Sequence, residues 1–277
     1  MLVKPGPLPE DANIREAVCI HTRKIFDSCR DKDCMEDLRL FPTQQSAEII
    51  DNAVSVRARG AQLLYTSIKV DEITFNRGFY TVDIRYFYKV TADAFMCSGR
   101  TEKISGLCVF DKRVILFGSE GSARVFSSDM HTPTADTLMD SYLPRVVVEA
   151  VDPIVLNIRL VDCTCQVNGD TGMTEVPDFI AYGFDSPVVS NPCGKLVYVT
   201  LGQFSIVRLE RDSQLLVPVY DYCMPDKECT GPTDDDPCTL FSRIGFPVDE
   251  FFPPDTLTTS ENYREAKASL SGAGMTE

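Results

Sequence analysis

The clearest signal along the chain is strict alternation. In residues 80–90, YTVDIRYFYKV, Tyr80, Val82, Ile84, Tyr86, Tyr88 and Val90 share one face. Thr81, Asp83, Arg85 and Lys89 occupy the other, with Phe87 the one apolar residue among them. That run fits a half-buried strand and not a 3.6-residue period. Asn76-Arg77-Gly78 lies just before it. Asn and Gly tolerate positive φ, which predicts a turn, with residues 63–70 as the neighbouring strand.

Further short strands rich in β-branched and aromatic residues are predicted at 107–110, 114–117, 123–126, 145–150, 155–161, 195–201, 204–210 and 215–220. Asp111-Lys112-Arg113 would separate the first two of these. The best helix candidate is 44–53, QQSAEIIDNA, on a weak stripe of Ile49, Ile50 and Ala53. The expected fold is all-β, mainly an antiparallel sandwich or barrel-like sheet, with one short helix and irregular Cys-bearing loops.

Residues 1–40 read as a polar, Cys-bearing N-terminal arm, Pro-rich up to 18 and densely charged beyond, with a short helical turn near Met35–Leu40. Residues 41–256 form the β-rich core. If that core holds two β units, the polar connection at 127–143 is their boundary. Residues 257–277 are small and polar and are expected to be a disordered tail.

Composition narrows the function classes. The net charge of −14 opposes duplex nucleic acid and anionic membranes, and no apolar run approaches the roughly 18 residues that a spanning helix needs. Two histidines, His21 and His131, leave little for His-based acid–base chemistry or multi-His metal sites. Cys19 and His21 are neighbours in a charged segment, not in a strand–turn–helix setting. Gly118-Ser119-Glu120-Gly121 is too short for a phosphate loop, and Asp234-Asp235-Asp236 lacks the alternating ligands of a Ca²⁺ loop. No catalytic, cofactor-binding or metal-ligating residue is therefore assigned, and no cofactor is expected.

Cysteine carries the remaining chemistry: the chain has 11, and it starts MLVKPGPLPEDAN, without the apolar run of a secretion signal. The spacings Cys19-x9-Cys29-x4-Cys34, Cys163-x-Cys165 and Cys223-x5-Cys229-x8-Cys238 contain no C-x-x-C. A zinc ribbon or thioredoxin-like site is disfavoured on that ground. Cys97 and Cys108 lie in strand-like surroundings and are taken as small buried hydrophobes. The loop cysteines Cys19, Cys29, Cys34, Cys163, Cys165, Cys193, Cys223, Cys229 and Cys238 are the candidates for cross-linking between chains. Tyr80, Tyr86 and Tyr88 are a candidate binding face if not core. Phe251 and Phe252, within FPVDEFFPP, either close over the core as a strap or form an exposed apolar surface.

Four segments resemble one family. TFNRGFYTVDI at 74–84, FDKRVILFGSEG at 110–121, PVYDYCMPDKEC at 218–229 and FPVDEFFPP at 246–254 are similar to cysteine-bearing proteins of spore-forming, clostridia-like bacteria, linked to the spore coat or spore surface. The resemblance runs from about Cys19 to Pro254. It implies no enzyme activity, synthesis in the cytoplasm without a signal peptide, and thiols that oxidise once the mother cell lyses. The function expected is a non-enzymatic structural protein, self-assembling into a spore-coat or cell-surface layer held by intermolecular thiol cross-links. Its partners would be copies of itself and other coat or surface proteins. The competing readings are a β-sandwich module that binds a carbohydrate or protein, and a thiol-dependent enzyme or metal store.

Overall fold

The structure, a computed structural model, describes residues 19–120, 143–163, 176–190, 194–216, 241, 245–247 and 251. Elements in chain order are β1 (Cys19–Arg39), β2 (Phe41–Pro42), α1 (Gln44–Asn52), β3 (Ala53–Glu72), β4 (Phe79–Met96), β5 (Thr101–Phe117), β6 (Arg145–Ala150), β7 (Ile154–Cys163) and β8 (Gly194–Leu216). Two antiparallel sheets result, each of four strands. One has the order β2-β5-β4-β3. In the other, β8 pairs with β1 on one side and with β6 and β7 on the other. This is the all-β sandwich that the alternation predicted.

β4 shows why the pattern was so clear. It is an inner strand of its sheet, so its even positions face the opposing sheet, and Val82, Ile84, Tyr86, Tyr88 and Val90 are all within 1% of complete burial. They pack on Val199, Leu201, Val207 and Leu209 of β8 to make the core that both sheets share. The turn before β4 is closed by Asn76 N–H donating to Ile73 O and Phe79 N–H to Asn76 O. Gly78 sits there at φ +80°, where a Cβ would be strained. The predicted helix is α1. Thr43 caps it by accepting from Ser46 N, 3.4 Å away, and the chain turns extended again at Ala53.

Three expectations are corrected. Residues 19–39 are not a charged arm with a helical turn; they form β1, a strand of 21 residues that pairs along β8 from Cys19↔Leu216 to Arg39↔Tyr198. Asp111-Lys112-Arg113 is no turn but the middle of β5, because Asp111 and Arg113 pair with Arg85 and Asp83 across the sheet. Residues 195–216 are one strand, not three: Gly202 lies mid-strand, where a Cβ would come within 2.8 Å of the Phe241 ring. As β1 pairs with β8, the first and last described strands share one sheet across the boundary weighed at 127–143. The strand expected at 123–126, residues 217–220 and the tail at 257–277 lie outside the described residues.

The outer faces are partly covered. Phe87, the apolar exception of β4, packs with Phe41, Leu107, Ile180 and Phe184, the last two from a segment that includes the short 3-10 helix Asp178–Gly183. Lys89 Nζ donates to Gly183 O at 2.6 Å and holds that segment on the sheet. On the opposite outer face, Phe204 meets the rings of Phe241 and Phe246 at 4.6 and 5.6 Å, and Phe246 stacks on Phe251 at 5.1 Å. Phe251 thus packs over β8, next to Phe246. Phe252 lies outside the described residues. No helix is long and apolar enough to cross a membrane, among the described residues.

Candidate functional site

The most unusual chemistry sits between the sheets. β1 pairs with β8 without a register shift from Asp27 to Met35, so Cys29, Asp31, Asp33 and Met35 all point inward. Two of those four positions are carboxylates. The opposing sheet supplies the counter-charge: Lys112, inward on β5 opposite Ile84 of β4, reaches both of them. Its Nζ contacts Asp31 Oδ2 and lies 2.6 Å from Asp33 Oδ2. The three side chains are only 7% (Lys112), 15% (Asp31) and 14% (Asp33) exposed.

The polar layer continues inward. Tyr88 Oη donates to Gln203 Oε1 and lies 3.5 Å from Met35 Sδ, while Gln203 Nε2 donates to Val151 O at 3.3 Å. Tyr86 Oη and Ser205 Oγ are both fully buried in this layer, next to each other. Tyr86 is stacked between Tyr88 and Phe110, with centroids 6.1 and 6.3 Å apart. Burial raises the pKa of both Tyr86 and Tyr88, so both phenols are neutral; the Asp33 charge pushes Tyr86 further the same way. Burial also holds the Asp33 carboxyl up at about 6, against the opposing pull of Lys112 and with the help of the Asp31 charge.

The tyrosine binding face is corrected by this arrangement. Tyr80, Tyr86 and Tyr88 are 2%, 0% and 0% exposed, because the second sheet covers the face on which they stand. Tyr80 is tied at the end of the sandwich, donating to Ser119 O at 3.1 Å and lying 2.8 Å from the Arg211 guanidinium. The sheet surface that does face outward is charged. Arg85–Asp111 and Arg113–Asp83 form two-pronged pairs across β4 and β5, lining a concavity of about 590 Å³ with Ser67 and Lys69 of β3. Such exposed pairs contribute little stability.

The thiols fall into distinct environments. Cys29 and Cys34 are disulfide-bonded, and not to each other: five positions apart on one strand, they face opposite sides of the sheet. Cys108 is free and fully buried, as expected. Cys97 is also free but exposed, in the turn between β4 and β5, which corrects its placing as a buried hydrophobe. The run of strand residues before it ends one residue earlier, and Gly99 at φ +75° turns the chain outward. Cys165, Cys193, Cys223, Cys229 and Cys238 lie outside the described residues, while Cys19 and Cys163 are placed at strand ends. In native protein Cys97 should alkylate rapidly, and Cys108 only on unfolding, since burial raises its thiol. Peptide mapping after a timed iodoacetamide pulse checks this. Among the described residues no group of three or more His, Cys, Asp or Glu side chains is placed to hold a metal ion.

Sequence reasoning missed Asp31, Asp33 and Lys112. Parity was the available signal: Asp31 and Asp33 alternate with Cys29 and Met35, which marks them as inward once β1 is recognised as a strand. No protein-family profile, curated protein or solved structure matches the chain.

Proposed function

We propose that the chain is a non-enzymatic structural protein that assembles with copies of itself into a spore-coat or cell-surface layer, fastened by thiol cross-links. The observation that carries this reading is Cys97, a free and exposed thiol in the turn between β4 and β5, at one end of the sandwich, where a neighbouring copy can reach it. The spore assignment rests on the resemblance of the four segments.

Without reductant, the purified protein should run above the monomer in denaturing electrophoresis and collapse to the monomer when reduced. Negative-stain electron microscopy should show sheets or filaments, and Cys97→Ser should weaken the oligomer bands. A single monomer band in both conditions, with isolated particles on the grid, would end this reading.

A further inference from the structure

We infer that Lys112 and Asp31 condense to an intramolecular amide that joins the two sheets covalently, with Asp33 as the proton carrier. Four features point to it. The amine and carboxylate are in contact and come from opposite sheets, so the bond would tie β1 to β5 across the core. A second carboxyl, Asp33, touches the same nitrogen at 2.6 Å. All three groups stand on paired strands, which fixes their approach as an intramolecular reaction requires. The three side chains are largely buried between the sheets, which limits their access to bulk water.

The chemistry closes on the residues present. The Lys112 ammonium passes a proton to the Asp33 carboxylate, leaving a nucleophilic amine. The amine attacks the Asp31 carboxyl carbon as Asp33 protonates a carboxyl oxygen. Collapse breaks the C–O bond, the second nitrogen proton leaves by way of Asp33, and one water departs. One C–N bond forms, one C–O bond breaks, and Asp33 ends as it began. The ammonium loses two protons and both leave in the water, so no oxidant or co-reactant is needed. Asp33 suits this shuttle because its carboxyl, held at about 6, both accepts and returns a proton near neutrality.

The surroundings supply the driving force. Amide formation is disfavoured in water, but here it replaces two buried charges with a neutral group and so relieves their desolvation. The inference does not depend on self-assembly.

Intact mass spectrometry of the reduced, denatured full chain tests it. The wild type should weigh one water less than its sequence, and a digest should yield one branched peptide joining Lys112 to Asp31. Lys112→Met and Asp33→Asn should both keep the full sequence mass. An unmodified wild-type mass overturns the inference, as does water loss without the branched peptide. A branch at Asp33 overturns the assigned roles. As the wild-type mass alone decides, a variant that fails to fold leaves the test intact.

Discussion

Lys112→Met should destabilise the protein by about 3–5 kcal/mol, the largest single-residue effect expected outside the apolar core, because it strips the partner from two buried carboxylates. Methionine keeps most of the side-chain length, so the loss reports charge rather than a cavity. Without the ammonium, Asp33 loses the one neighbour that pulls its carboxyl down, while burial and the Asp31 charge still push it up. The pair will then hold a proton to higher pH, and the penalty should shrink as the solution is acidified. Denaturant unfolding at pH 8 and pH 5 measures both quantities. A penalty below about 1 kcal/mol at pH 8 would mean that water reaches the carboxylates and that the triad is solvated.

The companion variant is Asp31→Asn, Asp33→Asn and Lys112→Met together. Removing every charge of a buried cluster is often neutral or even stabilising, whereas removing one partner is costly. The triple variant should therefore regain most of what Lys112→Met loses. Any remaining deficit against the wild type measures what the covalent link adds, since the triple variant can form no amide.

The fold was legible where burial and pattern agree. β4 is covered on one face by the second sheet, so its alternation is nearly perfect, and α1 begins at Gln44 as its capping residue requires. β1 was illegible for the opposite reason. Its inward positions include Asp31 and Asp33, which read as solvent residues until Lys112 is found across the core. Lys112 was itself hidden inside a charged triplet that looks like a turn, because Asp111 and Arg113 point outward to cross-strand partners while it points inward. The same pairing principle thus concealed both halves of the cluster. Phe87 shows the converse case: an apolar residue on the polar face was the sign that residues 176–190 cover that part of the sheet.

The wild type should lose up to about 3 kcal/mol of stability between pH 4 and pH 7 through Asp33 alone. Its carboxyl stands at about 6 in the fold against 3.8 when exposed, chiefly because burial disfavours the charge. The folded value lies above the unfolded one, so the native state binds the proton more tightly. The contribution is therefore complete below about pH 4 and disappears as pH rises through 6; at 1.36 kcal/mol per pKa unit it amounts to about 3 kcal/mol. The Asp83 carboxyl runs the other way, held down by its hydrogen bonds from Arg113, so the total profile mixes signs. Subtracting the profile of Asp33→Asn isolates the one group. Condensation of Lys112 with Asp31 removes both lowering influences of Lys112 and both raising influences of Asp31 and leaves burial, the largest, in force, so the direction holds in the linked chain. Parallel profiles for the wild type and Asp33→Asn would mean that the carboxyl titrates as if in water, and the sealed polar layer between the sheets would have to be abandoned.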